Sequence, residues 1–239
     1  MSTFYNTLKE IFALNNIDCD GQATENLEKL YRALVETNKL YNLTAVTDEQ
    51  GVAGLHFADS LLALPYLQNT KTLLDVGCGA GFPCLPIAIA RPDISVLGID
   101  STAKKVDFST NFANNSCISN FLSISTRAED LAKTDKRDSF DTVTARAVAR
   151  LNVLCELCLP FVKVGGYFLA MKGAKGEEEL EEAKNGIEML GGKLESLDKK
   201  ELILPDEKQM RTLILIKKVR KTPEKYPRAY SKIVKSPLK

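Results

Sequence analysis

Leu73-Leu74-Asp75-Val76-Gly77-Cys78-Gly79-Ala80-Gly81-Phe82 is the segment that most limits what this chain can fold into. Its first half is a short apolar run, as a strand buried on both faces of a parallel sheet requires. The run breaks at glycines 77, 79 and 81, and a helix is predicted from near Cys84. Glycine lets the backbone approach a ligand closely and take angles closed to other residues. A second apolar run, Val96-Leu97-Gly98-Ile99, ends in Asp100, 23 residues after Gly77. The next strand of a βαβ unit ends there, and a carboxylate at that point accepts hydrogen bonds from ribose hydroxyls. Together the two runs predict a nucleoside-bearing cofactor across the carboxyl ends of strands 1 and 2.

The glycine spacing narrows the choice. A dinucleotide site follows G-x-G-x-x-G, its third glycine packing helix on strand. Counted from Gly77, the sixth position is Phe82, so the pattern is G-x-G-x-G. This favours S-adenosylmethionine, which has no pyrophosphate to seat on a helix N-terminus. An NAD-type oxidoreductase and a tight turn without a ligand stay open at this point.

Periodicity sets the frame. Phe4, Leu8, Ile11 and Phe12 recur at helical spacing, as do Leu27, Leu30, Tyr31, Leu34 and Leu40. Asp48 or Glu49 can open a third helix running to about Leu67. Beyond it, strands are predicted at 72–77, 95–100, 120–125, 140–145 and 166–172. Helices are expected at 83–91, 102–116, 148–161 and 176–190, and closing strands near 193–204 and 211–219. Alternation of this kind predicts a doubly wound α/β fold of class I methyltransferase type. Its seven-stranded sheet is mostly parallel, with a closing antiparallel hairpin. The expected organisation is an N-terminal helical region (1–67), a cofactor-binding core (68–219) and a basic C-terminal tail (220–239).

Net charge is +1, but it is unevenly placed. Residues 217–239 hold nine basic groups and one acid, a net of +8, against −7 for the rest. A basic tail on an acidic body suits a polyanion. Tyr226 and Tyr230 among these cations favour RNA, since aromatic rings stack on bases. No apolar run reaches 18 residues, so no membrane span is expected, and the N-terminus lacks a signal-peptide core. The expected setting is cytoplasmic, the expected state monomeric. Six cysteines make no disulfide framework in a chain of this size. Cys155 and Cys158 lie in an apolar helical stretch without a second Cys/His pair, so no metal is expected.

After strand 3, backbone at Ala128 or Glu129 is placed to meet an adenine edge. After strand 4 comes Arg146, next to the point where open α/β sheets bind ligands. The chain has no Asn/Asp-Pro-Pro-aromatic motif for amino-group methylation. Its only Pro-Cys pair, Pro83-Cys84, lies in the cofactor loop, which argues against attack on a pyrimidine ring. Arg146 is permanently charged and is no base. Cofactor loops, one arginine and no base fit guanine N7, whose lone pair carries no proton and needs only placement.

Several further blocks occur in one order: Tyr41-Asn42-Leu43-Thr44, His56-Phe57-Ala58-Asp59-Ser60, Gly81-Phe82-Pro83, Arg127-Ala128-Glu129, Thr144-Ala145-Arg146-Ala147, Met171-Lys172-Gly173 and Tyr226-Pro227-Arg228. By these the chain closely resembles the RsmG (GidB) family of bacterial 16S rRNA guanine-N7 methyltransferases, over nearly its whole length. The resemblance implies methyl transfer from S-adenosylmethionine to one guanine of 16S rRNA in the small ribosomal subunit, giving 7-methylguanosine. It also implies that Gly77, Gly79, Gly81, Phe82, Asp100, Ala128, Glu129 and Arg146 line the cofactor cleft. Asn42, His56 and Asp59 would approach it from the helical region, joining Arg146 as catalytic candidates. Cys78, Cys84 and Leu55 depart from the usual family residues. Two rivals remain at this point: a class I methyltransferase acting on a small molecule or protein, and a non-catalytic RNA-binding assembly factor.

Overall fold

The computed structural model describes residues 2–238. Strands of five to twelve residues form one seven-stranded sheet. Its strands are β1 (Thr72–Val76), β2 (Ser95–Asp100), β3 (Phe121–Ser125), β4 (Phe140–Arg146), β5 (Val162–Lys172), β6 (Gly192–Ile203) and β7 (Lys208–Lys218). Their order is β3-β2-β1-β4-β5-β7-β6. The first five run parallel, and β7 pairs antiparallel with both β5 and β6. The chain reverses its winding between β1 and β4, which opens a crevice at their carboxyl ends.

Each sheet face is buried under helices. One face (Leu73, Val96, Phe121, Leu169, Leu213) shares a single apolar cluster with the helices Cys84–Ala90 and Ala103–Asn115 and with the N-terminal helices. The latter are Thr3–Leu14, Gly21–Asn38 and a continuous segment, 49–61, whose middle, Val52–Ala58, is π-helical. Ser2, Asp20 and Asp48 cap these three through their side-chain oxygens. The other face (Leu74, Val143, Phe168, Ile214) packs on Leu151–Cys158 and Gly176–Met189.

Most elements match the sequence-based ranges within one or two residues. Strand β7 starts three residues before its expected position, and Leu40 lies exposed beyond the end of the helix Gly21–Asn38. The helix expected to reach about Leu67 ends at Leu61, ahead of a 3-10 turn at Leu64–Tyr66. Two further differences have local physical causes. The helix predicted from 148 begins at Leu151, because Ala147 turns the chain with φ +57°. Strand β5 begins at Val162, which pairs with Phe140 across a register shift that the apolar pattern does not reveal.

The basic tail requires a larger correction. It is a packed strap, not a free extension. Tyr226 and Ile233 are buried, so the Tyr226 ring is unavailable to a base. Lys218 is fully buried, and its ammonium donates to the carbonyls of Leu159 and Val162. The Arg137 guanidinium donates to the carbonyls of Thr222, Pro223 and Tyr226. Arg228 pairs with the fully buried Glu156. Lys225, Lys232 and Lys235 remain exposed, and Lys239 lies outside the described residues.

Candidate active site

A cleft of about 680 Å³ opens at the carboxyl ends of β1, β2, β4 and β5. Its floor is the glycine loop. Gly77 and Cys78 both donate their backbone N–H to the Ile99 carbonyl, at 2.8 and 3.0 Å, pinning the loop to β2. Gly77 sits at φ +78°, and a Cβ there would lie 2.3 Å from Val148. The Gly79 N–H donates to Asp100 Oδ2 at 2.9 Å and the Thr102 N–H to Oδ1 at 2.8 Å. Asp100 is therefore held rigidly by two amides, and each oxygen keeps lone-pair capacity for a hydroxyl. Among the described residues, the only atom close over Gly79 is Lys105 Cδ at 4.0 Å, so the floor is open where a nucleoside would lie.

Gly81, expected to line the cleft, is not among its lining residues. It has a packing reason instead. At φ +99°, a Cβ would press on Leu85 and Ser109 at 3.0–3.1 Å. Ala128 and Glu129 do not line the main cleft either. They line an adjoining hollow of about 140 Å³ that shares Gly77, Asp100 and Val148 with it.

The opposite wall comes from the N-terminal region. Asp59 is nearly buried between two arginines. Its Oδ2 accepts from Arg146 Nη1 and its Oδ1 from Arg211 Nε, both at 2.8 Å. Arg146 Nη1 also donates to the Leu55 carbonyl at 2.8 Å. The π-helical register has a role here. The Asp59 N–H bonds back to the Gly54 carbonyl rather than to Leu55, and the Leu55 carbonyl meets Arg146. His56 stacks on Phe82 with ring centroids 4.7 Å apart, and its Nε2 hydrogen-bonds the Thr44 hydroxyl at 2.8 Å. Burial, and then the Arg146 charge, push its imidazole down to about 4, so it is neutral near pH 7. Asn42 is exposed and outside the lining, whereas its neighbours Leu43 and Thr44 belong to it.

Sequence reasoning missed Arg211 as a site residue. It lies on β7, 152 positions from the aspartate it binds, and no local motif marks it. Lys172 also lines the cleft; its ammonium donates to the Ala149 carbonyl and pairs with Glu179, tying β5 to the turn after β4. Its place in the Met171-Lys172-Gly173 block was the only available signal.

Asp75, beneath the loop, is fully buried. Its Oδ1 accepts from the Thr144 hydroxyl at 2.9 Å, and its Oδ2 has no partner among the described residues. Burial raises its carboxyl to about 6. Folding therefore favours the protonated form. That contribution is complete below about pH 4 and is lost as pH rises through about 6. Asp75→Asn should stabilise the protein relative to wild type by roughly 3 kcal/mol at pH 7 and by almost nothing at pH 4. Urea unfolding of both proteins at the two pH values checks this. An advantage that does not grow with pH would mean Asp75 is ionised at little cost.

This strand order, glycine loop and carboxylate at the end of β2 define a class I methyltransferase. Solved structures agree in fold. An O-methyltransferase from Bacillus cereus in complex with SAH superposes with a TM-score of 0.58 at 16% identity, covering 88% of this chain and 100% of that one. The O-methyltransferase TomG from Streptomyces achromogenes, in complex with SAM, gives 0.55 at 15% identity, covering 91% and 100%. The family model GidB, described as rRNA small subunit methyltransferase G, matches residues 23–207. Proteins named ribosomal RNA small subunit methyltransferase G are 46% identical in Lachnoclostridium phytofermentans (99% of this chain, 97% of the relative) and 49% identical in Lactobacillus johnsonii (96% and 99%). The chain belongs to the GidB family of small-subunit rRNA methyltransferases.

Proposed function

We propose that this protein methylates N7 of a guanine in 16S rRNA, with S-adenosylmethionine as donor and the small ribosomal subunit as substrate. The observation that carries this reading is a cleft whose two catalytic candidates able to take a proton, Asp59 and His56, are both committed. Both oxygens of Asp59 accept guanidinium N–H groups, and His56 is neutral, stacked and hydrogen-bonded. Such a site suits a nucleophile with no proton to lose, which guanine N7 is. The open floor over Gly79 and the two amide-held oxygens of Asp100 fit an adenosyl group.

When bound, S-adenosylmethionine supplies an electrophilic sulfonium methyl. Asp100 would hold its ribose, with the backbone of Gly77 and Gly79 beneath. Arg146 has one of its nitrogens committed to Asp59 and Leu55, and its other N–H groups remain to orient an acceptor. An acceptor such as the guanine O6 fits this fork, and adenine, with an amino group there, does not. His56 and Phe82 form a flat wall that excludes water and keeps the Thr44 loop against the cofactor loop. Catalysis on this reading is positioning.

Tritium transfer from labelled S-adenosylmethionine to small subunits, followed by nucleoside digestion, tests the proposal. Label is expected in 7-methylguanosine alone. Asp100→Ala should weaken S-adenosylhomocysteine binding by about 1.5–3 kcal/mol, the worth of hydrogen bonds to a charged acceptor. Label in another nucleoside, or none in 16S rRNA, would overturn the reading.

A further inference from the structure

The hollow beside the main cleft has one wall that comes from the far end of the chain. Asp100, Arg127, Ala128, Glu129 and Val148 line it from the ends of β2, β3 and β4, and Tyr230 closes it from the C-terminal helix Tyr230–Lys235. The Arg127 guanidinium lies 5.7 Å from the Tyr230 ring centroid. The strap before this tyrosine is firmly anchored. Arg228 donates its backbone N–H and its guanidinium to buried Glu156. Ile233, one turn beyond, is fully buried. Between these anchors Tyr230 is 37% exposed. An aromatic ring fixed at the rim of a small hollow, with part of its surface open, is suited to stacking on a planar heterocycle.

We propose that the C-terminal strap completes the nucleoside pocket, with the Tyr230 ring packing against the adenine of the methyl donor. This rests on the S-adenosylmethionine reading above. Asp100 belongs to both the cleft and the hollow, so a nucleoside whose ribose meets that carboxylate directs its base into the hollow. An RNA base is the other planar heterocycle available. The shared Asp100 wall favours the cofactor. The strap then has a function in the cofactor site as well as a place in the core. Tyr230, read from sequence as an RNA-stacking residue, acts on the donor.

Calorimetry without RNA tests this on the full-length protein. S-adenosylhomocysteine and 5′-methylthioadenosine, which share the adenosine but not the amino-acid end, are titrated into wild type, Tyr230→Ala and Tyr230→Phe. Tyr230→Ala should weaken both ligands by the same factor, about tenfold. Tyr230→Phe should stay within about twofold of wild type, and the KM for small subunits should not change in either variant. Unchanged affinities, a loss confined to S-adenosylhomocysteine, an equal loss in Tyr230→Phe, or a rise only in the KM for subunits would each overturn the inference. If wild type binds neither ligand, the cofactor reading itself fails. A second measurement does not depend on the alanine variant folding. The chain has no tryptophan, so Tyr230→Trp introduces a single reporter. Its emission should change on saturation with 5′-methylthioadenosine and not with methionine. No change at saturation would overturn the proposal.

Discussion

Replacing Arg228 with alanine is expected to destabilise the protein by about 3–5 kcal/mol, because it strands a charge in the core. Glu156 is fully buried on the helix Leu151–Cys158 and receives the Arg228 guanidinium at 2.6–3.1 Å, plus the Arg228 backbone N–H at 2.8 Å. The alanine variant keeps only the backbone bond. At this chain length such a loss lowers Tm by roughly 6–20 °C. Glu156→Gln combined with Arg228→Ala should recover much of it, since no unpaired charge then remains. Thermal unfolding of the single and double variants checks the prediction. An unchanged Tm in Arg228→Ala would show that water reaches Glu156 and that the strap is not a structural tie.

Asp59→Ala should lower methyl transfer by about 10²-fold, the scale of an ångström's misplacement in a positioned site. The carboxylate bridges Arg146 and Arg211, and it joins the π-helical segment to β4 and β7. Without it the two guanidiniums repel, and Arg146 keeps only the Leu55 carbonyl. The loss should appear in kcat for the small subunit. Asp59→Asn, which keeps an acceptor, should lie between alanine and wild type. Arg146→Lys should also lose activity, because an ammonium cannot bridge Asp59, Leu55 and an incoming acceptor as the planar fork does. Full activity in Asp59→Ala would remove the arginine pair from the mechanism.

The two sites of prediction differ in how readable they were. That Gly77, Gly79 and Asp100 meet in one cleft was legible from residues, since their placement follows from a strand–turn–helix and the next strand end. Gly81 shows the limit of that reading. Its glycine is required by Leu85 and Ser109 pressing on it, and a spacing pattern does not distinguish a packing glycine from a cradle. Asn42 and His56 belong to neighbouring blocks, yet one is exposed and the other stacked in the wall.

What the sequence alone determined is what local periodicity and turn chemistry specify: seven strands, their alternation with helices, the parallel sheet with its closing hairpin, and the glycine loop facing a carboxylate. Charge counting gave the right sign for a polyanionic partner but misread the strap, because composition does not say which cations meet buried acceptors. Tertiary structure alone decided that Lys218 and Arg228 serve the core, that Arg211 shares Asp59 with Arg146, and that Tyr230 reaches the hollow beside Asp100. Each joins residues far apart in the chain. Such contacts follow from how the layers pack, and no periodicity within a segment encodes them.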